Sequence, residues 1–305
     1  MSKAFEGSRI VAWSVAIAAW LAGCAWHRDV SLALVRPRGL PWEGGALSGA
    51  IGFVGVPATL LLLFVVARQV RRTPEPRALA LAWLLLSAAV VAVDRHLTYS
   101  LAEIAHYPQY ALVAWLVARA IDPGRTLNVV VPAVLWTTLL GAGDELAQYL
   151  WTNVPHGDYV DFNDILVNLL GATGGALLWQ GSRPAPVAAS ARGAVAAWGF
   201  VVAIALAGLG SDRLVLAPPA GVAAVPGGWL SDPAGRPTLA LQRRDGLYGA
   251  RLSGPRRGDY LVLSPLPALA IGAVAFAILA ALASKGLRPR AACPGGEGSD
   301  RSSAP

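Results

Sequence analysis

The sequence predicts an all-α transmembrane helical bundle of about eight spans, with a small β-rich outer insert between the last two. Three observations carry this. Hydrophobic residues make up 55% of the 305-residue chain and charged residues only 14%, against roughly 25% charged in soluble domains. Eight apolar runs approach the ~20 residues a helix needs to cross hydrocarbon. Lys and Arg gather in short blocks at the ends of those runs, which is a topology signal. The formal charge of +7 therefore does not imply nucleic acid, because no basic stripe interleaved with aromatics is present. The two cysteines, Cys24 and Cys293, have neither metal-knuckle spacing nor a disulfide framework, and the topology puts them on opposite faces.

The runs are Ile10 to Trp26, Leu47 to Ala67, Ala78 to Val93, Ile104 to Ile121, Leu127 to Leu150, Ile165 to Gln180, Ala194 to Gly210 and Pro265 to Ala283. They divide the chain into two N-terminal helices (1–77), a four-helix core (78–193), a seventh helix (194–210), the insert (211–264), the last helix (265–284) and a Gly-, Pro- and Ser-rich disordered tail (285–305). When eight spans alternate, the blocks at Lys3 and Arg9, Arg68 to Arg77, Arg119 and Arg125, Arg183 and Arg192, and Lys285 to Arg290 share one side. The excess of positive charge makes that side the cytoplasm and places both termini there. Leu21-Ala22-Gly23-Cys24 has the form of a lipobox, but in so Leu-, Ala- and Gly-rich a chain it reads as part of a retained first helix rather than a lipidated terminus. Pro74 and Pro76 stop the second helix, and Asp94 to Glu103 forms either an interfacial turn or a helix extension. In the insert, Asp245-Gly246 between Leu239 to Arg244 and Leu247 to Leu252 is the best hairpin candidate. The insert reads as a lid or spacer, with a contact surface for an envelope partner as the alternative.

The functional signal lies in Gly141 to Gly175, an acidic and amide-rich crossing between two apolar runs. Ionisable groups beside membrane helices are costly and call for partners or a task. Asp164, Asn168, Gly171 and Gly175 are spaced four, three and four apart, which confines them to an arc of about 60° on the sixth helix. Gly171 and Gly175 suit close helix packing; Asp164 suits either a helix cap or a site. Glu145 and Gln148, three apart on the fifth helix, share a face, with Asp144 one step around. Glu145 is the candidate proton donor or acceptor, and Tyr149 and Trp151 read as an aromatic belt at the membrane interface. His106 and Tyr110 form an i, i+4 pair on the fourth helix, with Glu103 a turn before. The topology puts His27, His96, His106 and His156 on the outer side, together with Asp158 and Asp161, and no basic residue falls between Arg125 and Arg183. An acidic, imidazole-containing outer cleft is the expectation.

The ordered set His106-x3-Tyr110, Glu145-x2-Gln148 and Asp161-x2-Asp164-x3-Asn168-x2-Gly171-x3-Gly175 resembles the VanZ-like family of integral membrane proteins, over roughly residues 103–175. The chain departs from the family pattern where Asp158 and Glu103 stand in place of basic residues. The resemblance implies a multi-pass protein of the bacterial cytoplasmic membrane, associated with the cell envelope and with antibiotic resistance, but it supplies no reaction.

Three functions follow as expectations. The first is a factor that binds or modifies an envelope lipid or a glycopeptide antibiotic at the outer leaflet. The second is a membrane hydrolase or transferase on a lipid-linked envelope substrate, with His106, Glu145 and Asp164 as catalytic candidates and Tyr110, Gln148, Asp161 and Asn168 as substrate-binding ones. The third is a transporter. Membrane lipids are the expected partners and nucleic acid is not. No cofactor is identified; mixed His and carboxylate groups suit a divalent cation, although no ligand spacing points to one.

Overall fold

The computed structural model describes residues 3–35, 46–73, 76–99, 102–152, 158–181, 187–222, 228–231, 235–254 and 258–285. Its eight α-helices are α1 (Lys3–Val35), α2 (Ala46–Arg72), α3 (Pro76–His96), α4 (His106–Ile121), α5 (Val130–Ala147), α6 (Phe162–Gln180), α7 (Arg192–Gly210) and α8 (Pro265–Lys285). Four segments are long and apolar enough to cross a membrane: Gly7–Trp26, Pro76–His96, Arg192–Gly210 and Pro265–Ala283. Length and composition among the described residues thus support four spans, not about eight. Three of the other four helices are short or polar at one end: α4, α5 and α6 are 16, 18 and 19 residues long and carry polar groups at one end. They form the centre of the bundle, so protein rather than lipid surrounds them.

Helix α4 packs against α6, α5 and α1, while α3 and α8 lean on α6 and α7 leans on α5. Peripheral helices are fastened to this hub by side-chain donors that reach its backbone carbonyls. Trp20 of α1 donates to Leu140 O, Gln69 of α2 to Leu178 O and Trp198 of α7 to Leu135 O, each at 3.0 Å. Such bonds matter in an apolar medium, where a lone N–H has no water to turn to. Apolar side chains of the peripheral helices face outward, including Ile10, Leu60 to Phe64, Phe200 and Val274.

Several expected boundaries move. Helix α2 ends at Arg72, just before Pro74, which lies outside the described residues, and Pro76 starts α3, where its fixed φ and missing N–H suit the first turn. Helix α3 extends to His96, a 3-10 turn at Ala102–Ala105 precedes α4, and a π-helical turn at Gln148–Thr152 continues α5. Strand β1 (Leu127–Asn128) pairs parallel with β2 (Val187–Ala188). Within the insert, β3 (Leu214–Val215), β5 (Pro237–Ala240) and β4 (Trp229–Ser231) form one small sheet in that order, and β6 (Arg251–Gly254) pairs antiparallel with β7 (Gly258–Leu261). The hairpin expected at Asp245-Gly246 is therefore a turn between strands that do not pair with each other. Gly246 has the positive φ foreseen, +82°, but β5 finds its partners in β3 and β4.

Candidate functional site

Helices α4 and α6 begin, and α5 ends, at the same level of the bundle, and this brings the polar residues together. His106 Nδ1 lies 3.0 Å from Asn168 Oδ1, and Asn168 Nδ2 donates to Glu145 Oε1 at 3.2 Å. The amide oxygen can only accept, so this arrangement places a proton on Nδ1. With the amide turned over, Nδ1 would accept and Glu145 would carry the proton, so the three groups fit either placement of that proton. His106 Nδ1 is also 3.9 Å from Glu145 Oε1 and 3.9 Å from Asp164 Oδ2. One layer further in, the Tyr110 hydroxyl donates to Asp144 Oδ2 at 2.7 Å.

These groups are enclosed rather than lining an open cleft. His106 is 0% exposed, Glu145 3% and Asp164 7%. Asp144, noted from sequence only as a neighbour of Glu145, is as central as any residue in the group. It is fully buried, interacts electrostatically with His106, Glu145 and Asp164, and lies against Cys24 of α1. Gln148 is buried at the start of the π-helical turn on the same end of α5. Of the other histidines expected on the outer side, His96 is exposed at the end of α3, while the side chain of His27 and all of His156 lie outside the described residues.

The insert covers the site. Tyr149 and Trp151 do not form a belt: Trp151 is 72% exposed, but Tyr149 is 2% exposed and donates to Ala240 O at 2.7 Å. Val160 N donates to Leu241 O and Arg243 N to Asp158 O, so the chain before α6 is stitched to the insert. Asn163 of α6 clamps both neighbours, donating to Leu97 O and Leu261 O and accepting from Leu263 N. The expected lack of a basic partner for Asp158 also fails, because Arg244 of the insert reaches it at 3.7 Å on the exposed rim. No local sequence pattern announces contacts between segments this far apart.

Asp161 caps α6, accepting from Asn163 N at 2.8 Å and Asp164 N at 3.4 Å. The hydroxyl of Tyr159 also reaches it, and lies 3.3 Å from that of Tyr260 in the insert. Burial, and after it the Asp164 carboxylate, push Asp161 up from 3.8 to about 8, against the pull of its two backbone donors. A carboxyl that favours its protonated form when folded loses stability as pH rises from the unfolded value towards the folded one. Asp161→Asn keeps a good cap and removes that charge. We expect its melting temperature in detergent to gain on wild type between about pH 4 and pH 8, whereas Asp161→Ala should lose about 1 kcal/mol with the cap. Equal behaviour of the two variants would contradict the capping role.

Gly171 and Gly175 lie on the face of α6 that meets α4. A Cβ at Gly171 would stand 2.7 Å from Tyr107 O, and one at Gly175 would fall on Ala111 O. The small residues thus set the approach of α6 to α4, and with it the gap between Asn168 and His106.

The fold and site together define a helical membrane protein with a buried, carboxylate-rich polar centre beside a β-rich insert. No protein-family model, curated protein or solved structure matches the chain.

Proposed function

We propose that this is a VanZ-like protein of the bacterial cytoplasmic membrane, with both termini cytoplasmic and all eight helices crossing the bilayer, that binds and modifies an envelope lipid at the outer leaflet. The observation that carries the reading is the His106–Asn168–Glu145 set beside Asp164, an acid–base arrangement buried where solvent does not compete. Its enclosure favours a small polar head group on a lipid over a bulky glycopeptide. In this reading Glu145 exchanges a proton with the substrate, His106 replaces or removes that proton, Asn168 holds the two side chains in place, and Asp164 orients the bound group. Outward-facing apolar side chains on α2 support a complete eight-helix crossing.

The test is complementation of a deletion strain. Envelope-lipid composition and susceptibility to cell-wall antibiotics are compared for wild type, Glu145→Gln and Asp164→Asn at equal membrane levels. Glu145→Gln should reduce complementation by at least 10²-fold, the scale of a lost general acid or base. An unaltered lipid profile and unaltered susceptibility on deleting the gene would overturn the reading.

A further inference from the structure

We infer that His106, Glu145 and Asp164 hold a first-row divalent transition-metal ion. The inference rests on the reading of this site as chemically active and specifies what occupies it. One ligand atom from each of the three residues lies within 4.8 Å of the other two. Three donors about 2.1 Å from a common ion in tetrahedral geometry stand about 3.4 Å apart, so the set would draw in by up to about an ångström to close around a cation.

Charge gives the argument its force. Among the described residues, the basic partner within ion-pair distance of Glu145 and of Asp164 is His106 alone. Asp144 adds a third carboxylate to the same buried volume, and its Oδ1 and that of Asp164 have no hydrogen-bond partner among the described residues. A buried carboxyl is paired, coordinates metal or takes up a proton. Asp144 Oδ1 lies outside the triad, so it is an observation independent of the triad spacing, and a cation would satisfy it.

Donor chemistry selects the class. One imidazole with carboxylate oxygens suits Mn2+, Fe2+ or Zn2+, whereas Ca2+ and Mg2+ prefer all-oxygen sets. The ion would take the place of the Nδ1 proton. The Asn168 amide oxygen, now 3.0 Å from Nδ1, would turn aside or join the ligand set, while Nδ2 on Glu145 Oε1 holds that carboxylate in position.

The experiment is metal analysis of the full-length protein, purified in detergent without chelator and through a tag free of histidine. The protein is then dialysed against Zn2+ or Mn2+, with a Co2+-loaded sample examined for d–d absorption. The expected result is about one ion per chain in wild type, with imidazole–carboxylate Co2+ bands, falling at least tenfold in His106→Asn and Glu145→Gln. Wild type that stays folded yet binds neither ion, or an ion and spectrum unchanged in both variants, would overturn the proposal. Should a variant fail to fold, chelator titration of wild type decides: a melting temperature unmoved by chelator and by added Zn2+ or Mn2+ counts against it. The two readings separate. Loss of complementation in Glu145→Gln with no metal in wild type sinks the ion alone, while bound metal with no effect of deletion sinks the function alone.

Discussion

Replacing Gly175 by alanine is expected to separate the central helices and cost about 3 kcal/mol, the upper range for overpacking a tight contact. The new Cβ would meet the carbonyl oxygen of Ala111, backbone of a packed helix that cannot rotate aside as a side chain can. Relief requires α6 to move off α4, and that movement would pull Asn168 from His106. Gly171→Ala should be damaging to a lesser degree, with Tyr107 O at 2.7 Å. Gly174→Ala is the control, since its nearest neighbour would be Leu86 Cδ2 at 3.7 Å, an ordinary contact. In a mid-helix position alanine even gains up to about 1 kcal/mol over glycine from propensity. Thermal unfolding in detergent should therefore rank Gly175→Ala well below wild type, with Gly174→Ala at or above it. Equal melting temperatures for the two variants would refute close packing at Gly175.

Removing the Tyr110 hydroxyl should be the next most costly change. Tyr110→Phe leaves the aromatic packing intact but strips Asp144 Oδ2 of its 2.7 Å donor, in a carboxylate whose Oδ1 has no hydrogen-bond partner among the described residues. A buried acceptor left unsatisfied costs about 1–3 kcal/mol, and more when it is charged. The cost belongs to the orphaned carboxylate rather than to the lost hydroxyl, so deleting both partners should hurt less than the single changes suggest. In a cycle of Tyr110→Phe, Asp144→Leu and the double variant, we expect a coupling of at least about 1 kcal/mol. Additive effects would show that the two side chains do not depend on each other.

Much of the central architecture was legible because it is written in short-range periodicity. The 4-3-4 spacing from Asp164 to Gly175 put these residues on one helical face, and in the structure that face is buried against α4 and α5. The i, i+4 pair His106 and Tyr110 likewise points into one region. Asp144 was undervalued for a related reason. It is 100° around the helix from Glu145, which looks like divergence until two separate helices, α4 and α6, are seen to receive the two side chains. Tyr149 read as an interfacial aromatic because nothing near it in sequence reveals that Ala240, 91 residues later, accepts its proton. Hairpin chemistry at Asp245-Gly246 was sound as turn chemistry, but local turns do not choose strand partners.

Sequence by itself determined the class of molecule: too apolar and too sparsely charged to be soluble, helical by the length of its runs, with one acidic and amide-rich crossing at its polar end. Those properties depend on composition and on spacing within a single turn or span. Tertiary structure alone decided that the polar residues share one enclosed centre, that Asp144 belongs to it, that the insert closes over it and that Arg244 neutralises Asp158 at the rim. Each of these depends on contacts between helices or across dozens of residues, where the energy of packing and desolvation, not local propensity, selects the partner.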